Sequence, residues 1–393
     1  MKQVIAITGI SAISATGADT SLLGNKGDHN LSFDSSLHAW VGKLPTDVLQ
    51  FIEEIREENR NYQALDASVL YAIYVSRKAI ASAGWDFSND FGINIGSSRG
   101  ATQLFEKYYS AFLENGKSET LASPTTTLGN ISSWVAQDLQ NEGPDISHSI
   151  TCSTALHSLL NGVAWLQSGM CDKFMVGGSE AALTPFTIAQ MRAMKTYSRA
   201  ENDSLYPCLA LDLDKAENTM VLGEGAASVC LEIGIKPTAL AYVVGVGYAT
   251  EKLKHAVSIS AEATCFQKSM KMAIEDAKTS FQGNDFEEML NEVDAIVMHA
   301  PGTQLGDTSE HKAIQKIFKD KLPLLTTNKW KIGHTFGASG LLSLDLAIKM
   351  LQSQEYEEVP FISPQVKPKR INNILVNAVG FGGNAVSILL RKA

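Results

Sequence analysis

Short runs of β-branched and apolar residues alternate along the chain with longer stretches whose apolar positions recur at helical spacing. The first kind covers residues 4–8 (VIAIT), 92–96 (GINIG), 146–151 (ISHSIT), 173–178 (KFMVGG) and 227–233 (ASVCLEI). It continues at 241–249 (AYVVGVGYA), 294–300 (DAIVMHA), 373–383 (NILVNAVGFGG) and 385–391 (AVSILLR). Several of these are apolar throughout, as strands are when both faces of their sheet are covered. The second kind predicts helices over 66–85, 153–169, 263–278 and 340–354. Strands alternating with such helices specify an α/β fold with buried sheets. Each half of the chain offers a strand, a Gly-containing turn, a long helix and further strands, with no residue-level repeat. The IGIKPT turn is the best division, giving halves 1–235 and 236–393.

A chain of 393 residues with 45% hydrophobic composition can bury a large core. Its net charge of -9 argues against non-specific nucleic-acid binding, which needs clustered cations, but leaves room for a local basic patch facing an acidic protein. The five cysteines (Cys152, Cys171, Cys208, Cys230 and Cys265) show no CxxC spacing. Neither a metal site nor a disulfide framework is therefore expected, and the pattern fits a reducing, cytoplasmic compartment. The opening MKQVIAITGISAISATGA contains Gly9 and Gly17 and reads as a strand entering a turn rather than a signal peptide. No apolar run reaches the roughly 18 residues of a membrane span.

The chemistry concentrates at three strand ends. The run ISHSIT leads into Cys152, and a helix with Ala155, Leu156, Leu159, Leu160, Val163 and Leu166 on its apolar positions follows at once. A thiol at a helix N-terminus is favoured as thiolate by up to ~2 kcal/mol. The backbone N–H of Cys152 could also serve as an oxyanion donor there. A small buried packing role is the alternative for Cys152, and the expected one for the other four cysteines. His299 ends AIVMHA and enters PGTQLGD, while His334 lies in KWKIGHTFGASG ahead of an amphipathic helix. Each sits beside glycines, where backbone and ligand can approach closely.

Together these segments resemble the β-ketoacyl-[acyl-carrier-protein] synthases of the thiolase superfamily, in the elongating Cys-His-His branch. ITCSTALHSL resembles the nucleophile segment, HAPGTQLGDTSE the first histidine motif and NKWKIGHTFGASG the second. VLGEGAASVCLE, AVGFGGNAVSILL and the opening TGISAISATG resemble further family segments, in collinear order over nearly the whole chain.

The resemblance implies a thiolase-like fold of two similar α/β halves in αβαβα layers, with Cys152 as the acylated nucleophile. It implies that His299 and His334 bind the malonyl thioester carbonyl and stabilise the enolate formed on CO₂ loss. Lys329 and Glu310 match an orienting ion pair, Phe381 the gating aromatic whose N–H completes the oxyanion hole with that of Cys152, and Thr303 a pantetheine contact. It further implies no metal and no other cofactor, substrates carried on the phosphopantetheine of an acyl carrier protein, and a dimer with itself or with a related subunit.

The chain departs from the family at Pro301, where a second threonine is usual, and at Trp330 and Lys331 before the IGH segment. It also has Glu217, Asn218 and Thr219 for an Arg-Asp-Gly, lacks the Thr of GGTN, and is less basic over 56–66, the carrier-docking loop. These departures point to a specialised pathway such as polyene pigment or polyketide assembly. A degradative thiolase would carry a second Cys in the GFGGN segment, which has none. Chain-starting synthases use a His/Asn pair. A non-catalytic, chain-length-factor-like subunit is the remaining alternative, favoured by the depleted docking loop and opposed by the presence of Cys152.

Overall fold

The computed structural model describes residues 3–19, 27–86, 90–128, 130–252, 259–278, 285–319 and 321–393. The strands that matter for the site are β1 (Ile5–Ser14), β2 (Gly92–Gly96), β3 (Asp145–Ile146), β4 (Lys173–Glu180) and β5 (Gly225–Ile233) in the first half. In the second half they are β6 (Ala241–Thr250), β7 (Ala295–Val297), β8 (Leu324–Thr326), β9 (Asn373–Gly380) and β10 (Asn384–Lys392). The order is β3-β2-β4-β5-β1 in one half and β8-β7-β9-β10-β6 in the other. Numbered within each half, both read 3-2-4-5-1, with the same parallel and antiparallel neighbours. The repeat that no residue pattern betrays is thus plain in topology. The halves join where Ile5, Ala6 and Ile7 pair antiparallel with Val243, Tyr242 and Ala241.

Helices close the layers. In chain order these are α1 (Ala67–Ala83), α2 (Thr154–Gln167), α3 (Pro185–Ala193), α4 (Thr264–Ala277), α5 (Gln304–Phe318) and α6 (Ser339–Ser353). The outer face of the first half is covered by α1, and that of the second by α4. Between the halves α2 and α6 pack on each other and on strands of both. Being covered on every side, α6 is apolar almost all round, with Leu341, Leu342, Leu344, Leu346, Ile348 and Leu351 buried. The start of α1 is set by Asp66, whose carboxylate accepts the Ser68 N–H at 2.9 Å, and its end by Gly84 in the left-handed region.

The four helices expected from periodicity are present, each within two residues of its expected ends. The strand expected over 146–151 is not. The regular ladder ends at Ile146, and one further backbone bond, Ser97 N–H to the His148 carbonyl at 3.2 Å, follows before side chains capture the backbone. Ile150 N–H donates to Thr154 Oγ1 at 2.8 Å, and Thr154 Oγ1 donates to the Thr151 carbonyl at 2.6 Å. Such local bonds compete with a ladder, and here they win. No described helix is long and apolar enough to cross a membrane.

Candidate active site

The turn that presents Cys152 is built by that competition. Thr151, at φ 46°, sits in a region costly for a β-branched residue, and the chain reverses there to place Cys152 ahead of α2. A Cβ on Gly380, the last residue of β9, would collide with Thr151 Oγ1. Glycine at that point lets the Phe381–Gly383 turn approach the segment that carries Cys152. Gly382 and Gly383 both have positive φ, closing the β9–β10 connection.

The two histidines arrive from the second half. His299 lies just past β7, and its N–H and that of Ala300 donate to Glu310 Oε1 and Oε2 at 3.0 and 2.9 Å. His334 is pinned by its own backbone, its N–H donating to Val221 O at 2.7 Å and its carbonyl accepting from Gly223 at 3.1 Å. Their rings are perpendicular, with centroids 5.2 Å apart, and neither Nδ1 has a hydrogen-bond partner. Burial pulls His299 well below its ordinary pKa, with electrostatic repulsion from His334, were it protonated, and from Lys329 acting the same way, and burial pulls His334 down to about 3. Both are neutral imidazoles at physiological pH, able to donate to a developing oxyanion.

The ion pair expected between Lys329 and Glu310 is not a direct contact. Lys329 Nζ donates to Ser343 Oγ at 2.7 Å, while Glu310 accepts the two backbone N–H groups and Asn377 Nδ2 at 3.1 Å. Burial dominates both groups, lowering Lys329 to about 8 and raising Glu310 to about 7. Their charges still attract through space, but Glu310 is better described as the clamp on the His299 turn.

The thiol also departs from expectation. Burial, then the charge of Glu180, pushes Cys152 up to about 12 from an ordinary value near 9, while Lys329 acts the other way. That rise is worth roughly 4 kcal/mol, beyond the ~2 kcal/mol a helix N-terminus offers, so desolvation wins in the closed cavity. The resting thiol is protonated.

Cys152, His299, His334, Thr303 and Phe381 line one cavity of about 360 Å³. Lys329 and Glu310 do not reach it and lie buried behind. Sequence reading missed most of the remaining wall, above all Met191, Met194, Met220, Phe336 and Val379. Phe336 carried a signal in standing two residues from His334; the methionines carried none. Pro301 lines the cavity where a hydroxyl was expected. Thr303 caps α5 by accepting the Gly306 N–H at 3.2 Å. Phe381 is 38% exposed, at the mouth rather than in the core.

Several other departures find partners inside the fold, although the buried Trp330 Nε1 has no hydrogen-bond partner. Lys331 is buried but pairs with Glu357 at 2.9 Å, and Trp330 packs against Tyr206 and Phe361. Asn218 accepts from Gln304 N–H at 2.9 Å, and Thr219 Oγ1 donates to Gly302 O at 3.1 Å, so both support the turn after His299. Among the described residues, no group of three His, Cys, Asp or Glu side chains could hold a metal ion.

Comparison with known proteins identifies the family over most of the chain. The family models for the N-terminal and C-terminal domains of β-ketoacyl synthase match residues 2–234 and 240–360. A 3-oxoacyl-[acyl-carrier-protein] synthase 2 of Coxiella burnetii is 26% identical, covering 100% of this chain and 99% of that protein. The chloroplastic synthase I of Hordeum vulgare is 26% identical over 98% of this chain and 88% of its own. Among solved structures, a β-ketoacyl synthase from Burkholderia phymatum superposes with a TM-score of 0.82 at 21% identity, covering 100% of each chain. A ketosynthase in complex with its chain length factor from Xenorhabdus doucetiae gives 0.76 at 19% identity, covering 100% of this chain and 98% of that one.

Proposed function

This chain belongs to the β-ketoacyl synthase family and is an acyltransferase that forms carbon–carbon bonds; on that premise we propose a division of labour among its buried residues. An acyl group passes from the phosphopantetheine thiol of an acyl carrier protein to Cys152 Sγ, releasing the carrier thiol. Malonyl carrier then binds, and His299 and His334 donate to its thioester oxygen as CO₂ departs. The resulting carbanion attacks the Cys152 thioester, whose oxygen is held by the N–H groups of Cys152 and Phe381, and the Cys152 thiolate leaves. Glu310 anchors His299, Lys329 lends positive charge behind the histidines, and Thr303 meets the pantetheine arm.

One observation carries this reading: a buried thiol and two neutral, mutually perpendicular imidazoles share one cavity. A specialised pathway is favoured over housekeeping fatty-acid synthesis by Pro301, Trp330, Lys331 and the less basic 56–66 segment. A solved ketosynthase–chain length factor complex among the similar folds keeps a heterodimer open beside a homodimer. The non-catalytic reading is opposed by Cys152 standing in the cavity.

The test separates the half-reactions. Cys152→Ser should gain no stable acyl adduct from an acyl carrier. His299→Gln should gain it by intact mass yet release CO₂ from malonyl carrier about 10²–10³-fold more slowly. Normal condensation by Cys152→Ser, or an adduct on another cysteine, would overturn the assignment.

A further inference from the structure

Glu180 ends β4 fully buried, and none of the chemistry above uses it. Its Oε1 accepts backbone N–H groups from two separate segments. Ser98 and Arg99, in the loop after β2, supply two of them, Arg99 at 3.3 Å, and Gly337 supplies the third at 3.1 Å. Its Oε2 has no hydrogen-bond partner. Gly337 follows Phe336, which lines the cavity at φ 43°, a conformation a bulky residue keeps only when its surroundings fix it. The fixing contacts converge on the carboxyl. Arg99 places its guanidinium 5.9 Å from the Phe336 ring and is itself bonded to Thr187 and Gln190 of α3. The Phe336 ring centroid lies 5.7 Å from that of His334. A Cβ on Gly337 would stand 2.6 Å from Ser98 N and 2.7 Å from Glu180 Oε1, so only glycine leaves room for the clamp.

We propose that Glu180 is a positioning residue of this site, its buried carboxyl pinning the Phe336–Gly337 turn to the Ser98–Arg99 loop and so holding one wall of the cavity around Cys152. The inference rests on the function proposed above for that cavity. Its charge has a second consequence. Around the thiol, Glu180 opposes ionisation and Lys329 favours it, while His299 and His334 are neutral. Wall and thiol are therefore tied to one carboxyl.

Two substitutions separate geometry from charge. Glu180→Gln keeps a carbonyl oxygen for the three N–H groups and removes the charge; Glu180→Ala removes both. Transfer of an octanoyl group from octanoyl-pantetheine to Cys152 should slow by about 10–100-fold in Glu180→Ala, the scale of a misplaced wall, with rescue in Glu180→Gln. The rate of Cys152 alkylation by iodoacetamide, followed by peptide mass against pH, should shift to lower pH in Glu180→Gln. Should Glu180→Ala fail to fold by circular dichroism, Glu180→Asp replaces it, its shorter side chain unable to span both segments. Parent-like acylation in the truncated variant overturns the proposal. So does a Glu180→Gln protein as slow as Glu180→Ala with the parent's alkylation curve. Alkylation needs no acyl substrate, so a parent protein that alkylates normally but never condenses refutes the proposed function and not this clamp.

Discussion

Removing Glu310 distinguishes a hydrogen-bonding clamp from an ion-pair partner. Glu310→Ala strands the N–H groups of His299 and Ala300, both buried and both now bonded to the carboxylate. Each buried donor without a partner costs about 1–3 kcal/mol, so about 2–6 kcal/mol is at stake before relaxation. Against this stands the cost of keeping Glu310 itself charged in the core. Burial raises its carboxyl from an ordinary 4.5 to about 7, so the fold holds the proton more tightly than the unfolded chain does. The native protein therefore loses up to roughly 3 kcal/mol as pH rises from 4.5 through 7, and the variant is free of that loss. Glu310→Ala should consequently be more destabilised at pH 5 than at pH 8, read from urea midpoints at each pH. If the group mattered as the ionised partner of Lys329, the order would reverse, with the larger loss at pH 8. Activity should fall with the anchor, malonyl decarboxylation dropping about 10²-fold for a displaced His299. A variant within 1 kcal/mol of the parent at both pH values, decarboxylating normally, would refute the clamp (a threshold set by the lower end of the ~1–3 kcal/mol per donor).

Three further outcomes are expected. Glu357→Ala removes the carboxylate 2.9 Å from buried Lys331 and should cost about 3–5 kcal/mol in urea unfolding. Lys331→Met combined with Glu357→Leu should recover to within about 1 kcal/mol, and a double variant as unstable as the single would sink this account. His334, held to about 3 against an ordinary 6.5, takes up its proton later than in the unfolded chain, so it drains stability as pH falls across that window, by up to about 5 kcal/mol. His334→Gln should flatten the stability curve between pH 6.5 and 3, and an unchanged slope counts against a buried neutral ring. Phe381→Ala, at the cavity mouth, should keep the parent's unfolding midpoint while changing the rate of Cys152 acylation; equal acylation and condensation rates would rule out a gate.

What the sequence determined by itself was whatever local pattern encodes. Periodicity placed α1, α2, α4 and α6, and apolar β-branched runs placed most strands, because burial face and spacing are properties of a short window. Glycine turns beside His299 and His334, and the apolar run leading into a helix at Cys152, marked the candidate site for the same reason. The 146–151 segment escaped because Thr154 and its neighbours bond the backbone that its apolar pattern assigned to a ladder. Tertiary structure alone decided partners and burial. Lys329 found Ser343 and Glu310 found the His299 turn because α5, α6 and the 329–332 turn meet at that depth. Met191 and Met220, packed in one core cluster with Cys152, also line its cavity together with Met194, a position an apolar residue does not reveal in its own sequence neighbourhood. Glu180 reads as one acidic residue at a strand end until three backbone donors from distant segments close on it. The protonated thiol of Cys152 follows the same logic. A helix N-terminus is visible in sequence, but the desolvation that outweighs it is created only when both halves of the chain enclose the sulfur.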